Sequence, residues 1–130
     1  MFLKDFCSNY HVVFRGDIFI TSKLAPTNQG ATACGKSVEK SLENLQTDYI
    51  DLFLIHWPGS SMRNENNHSS KRFESWRSLE EFYSLVMSFD FLYRFILGDK
   101  KLRSIGVSNY NICHLEELLQ KAIVSPAVNQ

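Results

Sequence analysis

The chain has little that would staple it together or draw it to a charged partner. Its three cysteines, Cys7, Cys34 and Cys113, are odd in number and form no C-x-x-C pair. That argues against a disulfide framework or a zinc ribbon and for reduced thiols. Six glycines and three prolines are spread over 130 residues. They include neither a Gly-x-Gly-x-x-Gly fingerprint nor a Walker sequence, so nothing marks a Rossmann unit or a P-loop. The formal net charge is zero, 14 basic against 14 acidic residues. Neither nucleic acid nor an anionic membrane is therefore favoured as a partner. The apolar run over 82–97 is broken by Asp90 and Arg94 and is short for a membrane span. Lys4 and Asp5 interrupt the first apolar residues, so no signal peptide is read there and a cytoplasmic location is expected.

What is present centres on residues 48–59, Asp-Tyr-Ile-Asp-Leu-Phe-Leu-Ile-His-Trp-Pro-Gly. Nearly every position is large and apolar, as in a strand of a parallel sheet covered on both faces, and Pro58 and Gly59 end it. Alternation puts Ile50, Leu52, Leu54 and His56 on one face and Asp51, Phe53, Ile55 and Trp57 on the other. Residues 17–24 read as an earlier strand ending near Lys23. Residues 33–45 read as a helix, with Cys34, Val38, Leu42 and Leu45 at helical spacing. The polar stretch 60–71 reads as a long surface loop and 73–87 as a second helix. Residues 104–109 read as a third strand. Asn111 is placed to cap a helix with Ile112, Leu115, Leu118, Leu119 and Ala122 on one apolar face, and 127–130 reads as a fourth strand. Strand and helix alternate throughout, which predicts an α/β fold with parallel strands.

Parallel strands would bring Lys23, His56, Ser108 with Asn109, and Gln130 to one rim, at the carboxyl ends where chemistry tends to sit in such sheets. A lysine and an imidazole can stabilise a carbonyl oxygen gaining negative charge. Serine and carboxamide side chains can hold an amide-bearing ligand in a plane. Other candidates are weaker. Cys113-His114 reads as a packed thiol beside an exposed imidazole, and His11 and His68 read as surface residues.

The segments Ile-Phe-Ile-Thr-Ser-Lys-Leu (18–24), 48–59, Lys-Leu-Arg-Ser-Ile-Gly-Val-Ser-Asn-Tyr (101–110) and Val-Asn-Gln (128–130) together resemble the aldo-keto reductase family. The resemblance covers most of 15–130, and the second and third blocks are the specific ones. It implies an eight-stranded parallel β/α (TIM) barrel, of which this chain supplies about four strands, the third to the sixth. It implies an NADP-dependent oxidoreductase that reduces aldehydes and ketones with NADPH, a small-molecule carbonyl as substrate, and no metal. Lys23 and His56 match the family's catalytic lysine and histidine. Ser108, Asn109 and Gln130 match residues that hold the nicotinamide carboxamide. In the implied mechanism a tyrosine protonates the oxygen, the lysine with an aspartate lowers that tyrosine's pKa, and the histidine orients the carbonyl.

Two departures accompany the resemblance. The family's catalytic aspartate and tyrosine are expected ahead of residue 1, and the segment that grips the cofactor's 2′-phosphate after residue 130. The chain is thus expected to be an inactive fragment, or a non-catalytic half-barrel that binds a protein partner or itself through open sheet edges. A stretch of about a dozen extra residues near 84–96 is the second departure. It reads as a helix extended by about three turns or as a translated intron or faulty gene model. The second is preferred, because so apolar a surface has no evident partner.

Overall fold

The computed structural model of the protein describes residues 13–60, 67–83 and 101–130. The insertion expected near 84–96 therefore lies outside the described residues, as do Cys7, Tyr10, His11 and Tyr93. Three parallel strands, β1 (Thr21–Leu24), β2 (Leu52–Ile55) and β3 (Ile105–Val107), form one sheet in chain order. Among the described residues three α-helices alternate with them: α1 (Ala31–Leu45), α2 (His68–Tyr83) and α3 (Ile112–Leu119). The register pairs Lys23 with Leu54 and Leu54 with Gly106, and Leu24 with Ile55 and Ile55 with Val107.

That register sorts the side chains. Leu24, Phe53, Ile55, Ile105 and Val107 face the helices and are buried with Cys34, Val38, Leu42, Trp76, Leu79 and Leu118. Each such large apolar side chain contributes about 1.5–3 kcal/mol when fully covered. The opposite face carries Thr21, Lys23, Leu52, Leu54, His56, Gly106 and Ser108. Gly106 is required there, because a Cβ would come within 2.7 Å of Leu54 Cδ2 and 2.8 Å of Val128 O. Burial of the Cys34 thiol, offset in part by a hydrogen bond with Ser78, pushes its pKa up to about 12, so it is a packing group rather than a nucleophile.

The elements differ in detail from the sequence expectations. The first strand begins at Thr21, not Asp17, because Arg15–Asp17 forms a 3-10 turn. Arg15 anchors it: Nη1 donates to Ile18 O at 2.6 Å, and Nη2 to Tyr49 O at 2.9 Å and Asp51 Oδ2 at 2.8 Å. The polar loop is shorter than expected, since α2 already starts at His68. Nor is His68 a bare surface residue: it is half-buried, with Nδ1 3.1 Å from Ser60 N. The expected fourth strand is a single parallel bridge, Val107 to Asn129. Around it Ala127 N, Val107 N and Gln130 N donate across to Ile105 O, Val128 O and Val107 O. The Cys113–His114 expectation is reversed. Cys113 is exposed, while His114 is half-buried with its ring edge-on to Tyr110 at 5.7 Å.

Candidate active site

Parallel pairing puts the carboxyl ends of all three strands on one edge. Lys23 lies one residue before the end of β1, His56 directly follows β2, and Ser108 directly follows β3. Strand alternation gives these three the same face, away from the helices. Lys23 is exposed and His56 half-exposed, so both are open to a solute. Trp57 beside them is 49% exposed, its ring centroid 5.9 Å from that of His56.

Asn109 closes the rim. Its φ of 61° places it in the left-handed region, which asparagine tolerates better than most residues. In that conformation Nδ2 donates to His56 O at 2.9 Å and lies 3.0 Å from Ser108 Oγ. Ser108 Oγ donates to Gln130 O at 3.1 Å, and Asn109 N to the same oxygen at 3.0 Å. The structure thus joins His56, Ser108, Asn109 and Gln130 in one hydrogen-bonded group, with Lys23 on the neighbouring strand.

Sequence reasoning missed several residues that build this rim. Gln29 Nε2 donates to Trp57 O at 2.7 Å and Gly59 O at 3.1 Å. Arg72 Nη1 donates to Pro58 O at 2.9 Å. Glu80, buried in α2, takes Ile123 N at 2.7 Å, Val124 N at 2.9 Å and Trp76 Nε1 at 3.0 Å on Oε1, and pairs with Arg77 at 2.7 Å through Oε2. It thereby holds the segment that leads to Gln130. At the amino end of the sheet, Tyr49 lies between the guanidinium groups of Arg15 and Arg103, 3.9 and 3.6 Å from its ring centroid. Burial alone would raise the pKa of the adjacent Asp51. Hydrogen bonds from Ile20 N and Arg15, with the charges of Arg15 and Arg103, outweigh it and bring the pKa down.

Among the described residues no group of histidine, cysteine, aspartate and glutamate side chains is placed to hold a metal ion. Among the same residues no helix is long and apolar enough to cross a membrane.

A parallel strand–helix unit with lysine, histidine, serine and carboxamides along its carboxyl edge belongs to the β/α class that binds small molecules at that edge. Comparison with known proteins makes the class specific. The sequence model of the Aldo/keto reductase family matches residues 2–130, and the chain belongs to that family. It is 43% identical over 118 residues to a glyoxal reductase of Bacillus subtilis, covering 91% of this chain and 34% of that protein. It is 34% identical over 116 residues to a 9,11-endoperoxide prostaglandin H2 reductase of Trypanosoma cruzi, covering 89% and 33%. Among solved structures, an aldo/keto reductase of Brucella melitensis superposes with a TM-score of 0.72 at 34% identity, over 91% of this chain and 38% of that one. A Bombyx mori aldo-keto reductase in complex with NADP gives 0.70 at 28% identity, over 92% and 34%. The chain thus spans about a third of the length of the curated relatives it matches. Its strands and helices are part of a β/α barrel.

Proposed function

We propose that the protein takes part in NADPH-dependent reduction of an aldehyde or ketone to an alcohol, with Lys23 and His56 at the carbonyl and Ser108, Asn109 and Gln130 at the nicotinamide carboxamide. The observation that carries this is the joint placement of all five on one rim, four of them within one hydrogen-bonded group. The chemistry of the donor set suits the cofactor. A carboxamide needs one donor and one acceptor in a plane, and the exposed Gln130 side chain together with Asn109 Oδ1 offers both. NADPH, when bound, supplies the hydride.

Lys23 and His56 act on the substrate oxygen. The ammonium and the imidazole N–H place positive charge and a donor where negative charge develops. Among the described tyrosines none stands beside Lys23. Tyr49 lies at the opposite end of the sheet, Tyr83 ends α2, and the Tyr110 hydroxyl is buried. A general acid is worth about 10²–10⁴ in rate, and none of the described tyrosines is placed to supply it.

Titration of the chain with NADPH, followed by nucleotide fluorescence, tests the assignment. Saturable binding that weakens about tenfold in Gln130→Ala, as for the loss of one or two hydrogen bonds, is expected. Binding indifferent to Gln130 and Asn109 would refute it. Self-association is the second proposal, supported by Phe19 and Val128, which are 70% and 41% exposed on or beside the sheet.

A further inference from the structure

Four consecutive carbonyl groups follow β2, and each is taken by a side chain from elsewhere in the chain. His56 O accepts from Asn109 Nδ2 at 2.9 Å, Trp57 O from Gln29 Nε2 at 2.7 Å, Pro58 O from Arg72 Nη1 at 2.9 Å and Gly59 O from Gln29 Nε2 at 3.1 Å. The donors come from the turn after β3, the loop after β1, and α2. Pro58 has no N–H and Gly59 no side chain, so this segment has few means of holding itself.

Gln29 is only 6% exposed, and its two acceptors decide which way its amide points. Turned over, Oε1 would face two carbonyl oxygens. As it stands, Oε1 has no partner among the described residues. Leaving a buried acceptor unpaired is unfavourable, so the amide is oriented by the needs of the loop. The Arg72 side chain, 12% exposed, forks: Nη1 holds Pro58 O while Nη2 pairs with Glu117 Oε2 at 2.5 Å. The loop is thereby tied to both α2 and α3. Its far end closes where Ser60 N meets His68 Nδ1 at 3.1 Å.

We propose that Gln29 and Arg72 are positioning residues for the carbonyl-binding rim. They clamp the backbone of 57–59 and so fix the His56 and Trp57 rings relative to Lys23 and Asn109, without touching substrate or cofactor themselves. This rests on the role given to His56 above.

Amide hydrogen exchange of the whole chain, read by NMR, tests it. His56 N–H is held by Leu24 O at 3.2 Å and Ser60 N–H by His68, so both report the loop; Phe53 N–H, held by Ser104 O at 3.0 Å, reports the core. In Gln29→Met the His56 and Ser60 amides are expected to exchange about tenfold faster relative to Phe53, as for release of a local hydrogen-bonded unit. The His56 ring resonances should shift with them. Ser75→Ala removes a different tie of the same region, from Gly30 N to Ser75 Oγ at 2.8 Å, and should leave the His56 ring resonances in place. Equal acceleration of all three amides, or none, overturns the proposal and makes Gln29 an ordinary packing residue. Should Gln29→Met fail to fold, Arg72→Gln carries the same comparison through Pro58. No cofactor is needed, so a failure to bind NADPH would count against the functional assignment alone.

Discussion

Asn109 Nδ2 donates to the carbonyl oxygen of His56 at 2.9 Å, so the turn after the third strand holds the end of the second. Its geometry depends on a backbone φ of 61° at Asn109. Two substitutions separate the side chain from the backbone. Asn109→Gly loses the hydrogen bonds but adopts that φ freely, whereas Asn109→Ala loses them and is strained by about 1 kcal/mol. In urea melts the alanine variant is expected to be the less stable by roughly that amount. Equal stability would contradict the conformation described here.

Glu80 is the second test. Its Oε1 serves three N–H donors, those of Ile123, Val124 and Trp76. Glu80→Leu takes this acceptor from the Ile123 and Val124 N–H groups, at about 1–3 kcal/mol each, while Trp76 Nε1 keeps Val124 O at 3.2 Å. Glu80→Gln keeps an acceptor and loses chiefly the charge-assisted bond with Arg77, so it should be much the milder. Exchange of the Ile123 and Val124 amides should accelerate in the leucine variant and barely change in glutamine. Comparable effects from the two would show that Glu80 does not organise the segment before Gln130.

Stability should fall in two stages as pH drops. Burial lowers the His114 pKa from 6.5, and the nearby Arg72 charge lowers it further against the opposing effect of Glu117. The neutral ring also accepts from Asn111 N through Nδ1 at 3.4 Å. Below pH 6.5 the unfolded chain takes up this proton before the folded one does, so stability is lost down to the lower folded value. Asp51 follows: its folded pKa lies below 3.8, so its contribution is complete above that pH and disappears as pH falls through the folded value. A pH series of urea midpoints for His114→Gln should lack the first stage and keep the second. An unchanged first stage would assign it to another group.

Much of this was legible in the sequence, for reasons that also explain what was not. Cys34, Val38 and Leu42 repeat at helical spacing and are all buried, and Asn111 caps α3 by accepting from His114 N at 3.1 Å. These are local signals. The start of α2 was hidden because residues 67–72 contain no apolar side chain from which to read a period. The first strand was overextended because Arg15 finds Asp51 only once the sheet has formed. Gln29 and Glu80 escaped notice for the same reason: the loop segments they hold are 28 to 44 residues away and are held through backbone groups, which leave no mark on composition. The rim itself was visible because ionisable and amide residues follow apolar runs at successive strand ends.

The sheet edge at β1 leads to a further expectation. β1 is an edge of the described sheet, and Phe19, 70% exposed, lies just before it. Unpaired edges template pairing with another chain. In size-exclusion chromatography the chain should elute larger than a monomer, and Phe19→Lys should shift it toward the monomer. A monomer at all concentrations, with a single sharp urea transition and no binding of a dye for apolar surface, would contradict this.

The assignment of Lys23, His56, Ser108, Asn109 and Gln130 to one binding rim can be read residue by residue. Its most direct test is a titration of the isotopically labelled chain with NADPH, following amide and side-chain signals by NMR. Shifts are expected to concentrate at His56, Ser108, Asn109 and Gln130, including the carboxamide groups of the last two, with the amides around Arg15 and Asp51 at the far end of the sheet unmoved. Shifts confined to that far end, or none at millimolar NADPH in a folded sample, would contradict it.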